Sequence, residues 1–194
     1  MLKNLSEKYN IILGSASPRR KELLLDLDLK FSIQTTDKEE TFSCSLIEEE
    51  IAEFLAKQKS KFLSEKLQQN DLLITADTIV SFKNELLNKP KNKEEAFETL
   101  SKLSKNTHKV ITGVCLKSKN KEIIFSVTTM VTFKELSKDE IYHYIDKYNP
   151  HDKAGAYGIQ DWIGKIGINN INGSYTNVVG LPISELYQHL KLFI

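Results

Sequence analysis

A mixed α/β or α+β fold follows from three features of this chain. Strand and helix signals alternate along its length, and two stretches rich in Val, Ile, Thr and Phe flank a short polar turn at residues 118–121, as in a β-hairpin. Strict βαβ repetition is absent, so the sheet is expected to be mixed and twisted rather than doubly wound. With 194 residues, 40% of them hydrophobic and 27% charged, the chain suits one domain or two small lobes around one cleft.

The elements read in order. Ile11, Ile12 and Leu13 form a short buried strand, and Gly14 to Ser17 a tight turn. Ser17 is placed to cap a helix whose first residue is Pro18, where a missing N–H costs nothing. A short strand over 31–34 and an acidic loop over 37–41 follow. Residues 47–67 read as a helix with Ile51, Leu55, Gln58 and Phe62 along one stripe and lysine-rich opposite faces. Two strands, 71–75 and 79–82, flank Ala76-Asp77-Thr78.

A helix over 92–103 opens on a capping box of Asn92 and Glu95 and turns Ala96, Leu100 and Leu103 inward. The hairpin arms span 110–117 and 122–133. Ser137 and Glu140 make a second capping box, for a helix with Ile141, Tyr144, Ile145 and Tyr148 at helical spacing, ended by Pro150. Six of the eight glycines lie between Gly155 and Gly180, so that stretch reads as loop-rich and site-lining. Pro182 and Ser184 start a closing helix.

Composition narrows the function. Lys plus Arg number 27 against 26 Asp plus Glu, so no net field attracts a nucleic-acid backbone, and a polyanion site must be local. Cys44 and Cys115 stand without metal-ligand spacing and read as buried thiols of a reducing cytoplasm. Residues 1–10 are too polar and charged for a signal peptide, and the apolar runs are too short to span a bilayer. The expectation is a cytoplasmic protein that binds neither membrane nor nucleic acid.

One local conflict points to chemistry. Arg19, Arg20 and Lys21 occupy the first turn of a helix, against the positive end of its dipole, where each cation is unfavourable by about 0.3–1 kcal/mol. Backbone N–H groups, the dipole and two guanidinium forks together make an anion receptor, phosphate above all. A solvated basic helix start is the competing reading. Asp77, following an apolar run, either binds a cation and takes a proton from water or caps a turn. Glu39 and Glu40 read as loop charge or as a second acidic site, and Lys89, held before Pro90, as a surface lysine or a phosphate contact.

The segment Asp152-Lys153-Ala154-Gly155-Ala156-Tyr157-Gly158-Ile159-Gln160 allows close approach of a ligand, and the Gln160 amide can meet both edges of a base. No GxGxxG or Walker cradle is present, His108, His143, His151 and His189 lack metal-ligand spacing, and no Ser-His-Asp triad is legible.

In combination these motifs resemble one family. Gly14-Ser15-Ala16-Ser17-Pro18-Arg19-Arg20, Ala76-Asp77-Thr78-Ile79-Val80, Lys89-Pro90, Thr107-His108-Lys109-Val110 with Thr112-Gly113, residues 152–160, and Gly173-Ser174-Tyr175 before Val179-Gly180-Leu181-Pro182 occur in the order and spacing of the Maf family. The resemblance implies an elongated mixed twisted sheet with flanking helices and a central cleft, related to the inosine-triphosphatase architecture, in a homodimer. It implies hydrolysis of the α–β phosphoanhydride of a nucleoside triphosphate, with a divalent metal such as Mg²⁺ or Mn²⁺. Carried over by motif, Ser15, Arg19, Arg20, Lys59 and Lys89 hold phosphates, Glu40 and Asp77 serve metal and water, and Gln160 is the cleft glutamine.

The adjacent arginines, Ala-Asp-Thr and the Ala-Gly-Ala-Tyr-Gly-Ile-Gln loop are similar to the subgroup that prefers dTTP and UTP. Asp161-Trp162 departs from it, since glycine commonly follows the glutamine there. The alternative function is a nucleotide-binding regulator of cell division with little turnover.

Overall fold

The computed structural model describes residues 2–38, 47–65 and 67–194, with the backbone alone for Lys3. Its elements run α1 (Lys3–Lys8), β1 (Asn10–Leu13), α2 (Pro18–Leu25), β2 (Phe31–Ile33), α3 (Glu48–Ser64), β3 (Asp71–Phe82) and β4 (Glu85–Leu86). Then come α4 (Lys93–Leu103), β5 (Thr107–Lys117), β6 (Glu122–Phe133), α5 (Lys138–Tyr148), α6 (Trp162–Gly167), β7 (Ile168–Asn172), α7 (Tyr175–Val179) and α8 (Ile183–Leu190). Among the described residues, seven strands make one mixed sheet in the order β2-β1-β3-β5-β6-β7, with β4 paired to β3. The expected mixed α/β class is what the molecule has.

The chain divides into two compact units. The first comprises residues 1–77, 112–127 and 180–194. In it β1 pairs in parallel with β2 (Ile11 opposite Phe31) and with β3 (Ile11 opposite Leu72, Leu13 opposite Ile74). These strands are apolar on both faces: Leu13, Leu72, Leu73 and Ile74 are fully buried, as parallel strands require. α3 buries Ile51, Ala52, Leu55, Ala56 and Leu63, so the apolar stripe passes through Leu63 rather than the half-buried Phe62. Gly113 is what lets this helix approach β5, since a Cβ there would stand 2.2 Å from the Ala52 carbonyl carbon and oxygen. α1, unforeseen in a polar N-terminal stretch, is anchored by buried Leu2 and Leu5.

The second unit comprises residues 78–111 and 128–179. Its core gathers Leu100 and Leu103 of α4, Val131 and Phe133 of β6, Ile141, Tyr144 and Ile145 of α5, and Tyr157, Ile159 and Ile163. The Ser137–Glu140 capping box forms in full, with Ser137 N–H on Glu140 Oε2 at 2.7 Å and Glu140 N–H on Ser137 Oγ at 3.2 Å. The Asn92 box is displaced: Asn92 Oδ1 accepts from Glu95 N–H, but the Glu95 carboxylate accepts from Lys91 N–H.

Two expectations need correction. The strands at 71–75 and 79–82 are one strand, β3, running through Ala76-Asp77-Thr78. Ala76 is buried while Asp77 and Thr78 are half-buried, and one polar side chain on a pleated ladder breaks no backbone bond. The glycine-rich stretch 155–180 holds α6, β7 and α7 in addition to turns. Its glycines serve packing: a Cβ at Gly164 would stand 1.9 Å from the Ile159 carbonyl oxygen.

Candidate active site

In the first unit the site begins where β1 ends. Gly14 N–H donates to Ile74 O at 2.7 Å, and a Cβ on Gly14 would lie 2.6 Å from Thr75 Cγ2 and 2.8 Å from Leu63 Cδ1. Only glycine lets the turn stay this close to β3. The chain then enters α2 as expected: Pro18 lies in the first turn, and Ser17 Oγ accepts from Arg20 N–H at 3.5 Å. No acidic residue stands in that turn to offset Arg19, Arg20 and Lys21.

Two oxygens orient Arg20. Its Nε donates to Gly180 O at 2.8 Å and its Nη1 to Ser15 Oγ at 3.4 Å, while Ser15 Oγ also accepts from Ser17 N–H at 3.2 Å. These contacts fix the direction of the guanidinium fork, which suits a receptor for an anion. Arg19 sits half-buried beside it in sequence.

Lys59 reaches from α3 to Asp77 on β3, with Nζ 2.5 Å from Asp77 Oδ1 and 3.4 Å from Ala76 O. Both side chains are mostly buried, 16% and 17% exposed, so the pair is screened far less than a surface ion pair. Thr75 pins the two elements together by donating from Oγ1 to Ala56 O at 2.7 Å. Parallel pairing of β1 with β3 runs the chain the same way after Leu13 and after Ile74, so Ser15 follows the end of β1 while Asp77 continues β3 beyond the paired stretch. The structure thus joins Ser15 to Arg20 and Lys59 to Asp77.

Glu40, the second carboxylate of the expected metal pair, lies outside the described residues, as do Glu39 and Cys44. Among the described residues no group of three or more His, Cys, Asp or Glu could hold a metal ion. Of the two carboxylates expected to serve the metal, Asp77 is the one among the described residues. That donor set fits a magnesium-like ion that takes one or two carboxylates and otherwise water and substrate phosphates.

The second unit carries Lys89 and Gln160. Lys89 is exposed on the connection after β4, and the next residue, Pro90, accepts at its carbonyl from His151 Nδ1 at 3.1 Å. Gln160 lines an open pocket of ≈ 420 Å³ together with Ile159, Gly164, Asn169, Asn170 and Tyr175; Lys89 is not on its wall. The Gln160 Oε1 atom is buried and makes no hydrogen bond.

Several polar residues of this unit escaped sequence reasoning. His108 is buried, with Nε2 2.7 Å from Tyr157 Oη and its ring stacked on Phe133. Burial pushes the imidazole down to about 4 and the Tyr157 hydroxyl well above its ordinary value. Asn177 donates from Nδ2 to Val110 O at 3.0 Å and to Thr129 Oγ1 at 2.9 Å. Tyr144, expected only as core, donates its hydroxyl to Asp161 Oδ2 at 2.7 Å, and burial and then that carboxylate push its pKa up. A fully buried tyrosine must find a partner for its hydroxyl, which was the one available signal.

Curated relatives extend over the whole chain. A protein named dTTP/UTP pyrophosphatase from Flavobacterium psychrophilum is 52% identical over 190 residues, covering 98% of this chain and 97% of that one. Proteins of the same name from Flavobacterium johnsoniae and Parabacteroides distasonis are 46% and 48% identical, each covering 100% of both chains. A solved nucleoside-triphosphatase / dITP/XTP pyrophosphatase from Mycobacterium abscessus is similar at a TM-score of 0.41 and 11% identity, covering 64% of this chain and 72% of that one. No described helix is long and apolar enough to cross a membrane. The family model described as Maf-like protein matches residues 10–193, and the chain belongs to that family.

Proposed function

We propose that this chain is a dTTP/UTP pyrophosphatase, which hydrolyses the α–β phosphoanhydride to release the nucleoside monophosphate and pyrophosphate. One observation carries the reading. A single unit holds an anion receptor, Arg20 of α2 with Ser15 of the turn after β1, and a lysine-held carboxylate, Asp77 of the neighbouring parallel strand β3 with Lys59 of α3. The names of relatives about half identical over their full lengths support the substrate class.

Charge builds on the departing pyrophosphate in such a cleavage, and Arg19, Arg20, Lys59 and Lys89 are the cations assigned to it. Lys59 has a second task. It holds the Asp77 carboxylate oriented until phosphate oxygens compete for the ammonium group. Asp77 then orients the attacking water or accepts its proton. Asp77 and Glu40 would hold a divalent cation, Mg²⁺ or Mn²⁺, whose chemistry when bound is to neutralise phosphate charge. Gln160 is assigned to the nucleobase. The same reading takes the chain as one Maf-like domain, a homodimer, working in the cytoplasm.

Incubation with dTTP, UTP, CTP and GTP in Mg²⁺ and Mn²⁺ tests the proposal. Pyrophosphate and monophosphate in equal amounts, fastest from dTTP and UTP, are expected. Release of orthophosphate overturns the reaction, and tight nucleotide binding without turnover overturns the enzyme.

A further inference from the structure

Gln160 stands third in a four-residue turn, Gly158 to Asp161, closed by Asp161 N–H donating to Gly158 O at 3.0 Å. One buried hydroxyl holds both ends of that turn. Tyr144 donates to Asp161 Oδ2 at 2.7 Å and accepts from Gly158 N–H at 3.1 Å. The chain N–H to hydroxyl to carboxylate is aligned so that each bond polarises the next. Asp161 is also the N-cap of α6, where a carboxylate ordinarily accepts from the N–H groups of the first turn. It makes no such bond. Its Oδ2 is committed to Tyr144, with Lys153 Nζ 3.9 Å away.

The surroundings leave this turn little freedom. A Cβ on Gly158 would stand 2.6 Å from Asp161 Oδ2 and 3.0 Å from Gln160 Nε2, so a side chain there would push the Asp161 carboxylate out of place. Ile159 is buried, and its carbonyl oxygen fills the space that a side chain on Gly164 would need. Ile159 and Gln160 of the turn both line the pocket, and Gln160 Oε1 is buried without a partner. A buried acceptor without a donor is unfavourable unless a ligand completes it.

We propose that Asp161, acting through Tyr144, is a positioning residue for Gln160, holding the turn so that the Gln160 carboxamide stays at the pocket wall in one orientation to pair with a nucleobase. Thymine and uracil offer a ring N–H at N3 beside a carbonyl at C4, whereas cytosine offers a lone pair and an amino group there, so a carboxamide held in one orientation matches one set and mismatches the other. The inference rests on the reading that Gln160 meets the nucleobase.

The test uses full-length protein with Gln160→Ala, Asp161→Asn and Tyr144→Phe, and the double variant Gln160→Ala/Asp161→Asn, each assayed on dTTP, UTP and CTP. Asp161→Asn and Tyr144→Phe are expected to raise KM for dTTP and UTP by about tenfold with kcat within about twofold, and to shrink the dTTP-to-CTP ratio of kcat/KM by about as much. On the Gln160→Ala background Asp161→Asn is expected to change that ratio no further. If Gln160→Ala lowers discrimination while both clamp variants leave it intact, the positioning role is overturned and the Gln160 reading stands. If Gln160→Ala leaves discrimination intact, the nucleobase reading fails and this inference with it. Equal losses from Asp161→Asn with and without Gln160 overturn positioning in favour of general support. Tyr144→Phe keeps the buried ring, so it decides the matter should Asp161→Asn not fold.

Discussion

Replacing His108 by glutamine will remove part of the protein's acid sensitivity, and the size of that part follows from its surroundings. His108 is 1% exposed, packed between Phe133 and Tyr157, with Nε2 bonded to Tyr157 Oη and Nδ1 without a partner. A second ring proton would therefore be buried and unsatisfied, and burial lowers the pKa from 6.5 to about 4. In the unfolded chain the imidazole takes up its proton near 6.5; in the folded chain only near 4. Between these values the unfolded state binds more protons, so stability is complete above pH 6.5 and is lost as pH falls toward 4. The gap is worth about 3 kcal/mol, or about 6–12 °C in Tm for a domain of this size.

Thermal and urea unfolding of wild type and His108→Gln from about pH 7.5 to about pH 4 measures it. Glutamine can keep a hydrogen bond to Tyr157 but does not titrate, and the difference between the two curves cancels the carboxylates common to both. Wild type should lose about 3 kcal/mol more than the variant across this window. Parallel curves would refute the assignment of acid sensitivity to His108.

Asp77→Asn should lower kcat by about a hundredfold or more while nucleotide affinity, measured by calorimetry without turnover, changes little. Arg20→Ala breaks the contacts to Gly180 O and Ser15 Oγ and, on the proposed function, removes a charge-assisted phosphate contact worth about 1.5–3 kcal/mol, so triphosphate affinity should fall by about 10–150-fold, most clearly at low salt. Gly113→Ala places a methyl group 2.2 Å from two backbone atoms of Ala52 in α3, where no side chain can swing away. It should cost about 3 kcal/mol by urea denaturation, the upper end of overpacking penalties.

Much of the fold was legible because its signals were local. The Ser17 and Ser137 caps, the apolar runs of β1 and β3, and the periodicity of α4 and α5 each lie within a dozen residues, and each formed within a few residues of its expected place. The failures share a cause. α1 depends on Leu2 and Leu5 finding cover, β7 on pairing with Met130 to Phe133 of β6, and the glycines at 164 and 167 on the carbonyl and side chains pressed against them. Apart from the Ile159 carbonyl against Gly164, the named partners are distant in sequence, so composition read as loop what tertiary packing made into helix and strand.

The site divides along the same line. Arg19 and Arg20 were visible because they violate a local rule: cations do not favour a helix N-terminus, and a violation inside an otherwise regular strand–turn–helix needs a reason. Asp77 was visible only in company, since an aspartate after an apolar run has ordinary uses, and Lys59 was one lysine among many until α3 carried it to Asp77. Asp161 was noticed as a departure without a role. Its meaning requires Tyr144, 17 residues earlier in a helix whose periodicity marked that tyrosine simply as core. A charged clamp on an anion announces itself by a local electrostatic cost, whereas a neutral clamp on a turn costs nothing locally and is readable only once the two ends have met.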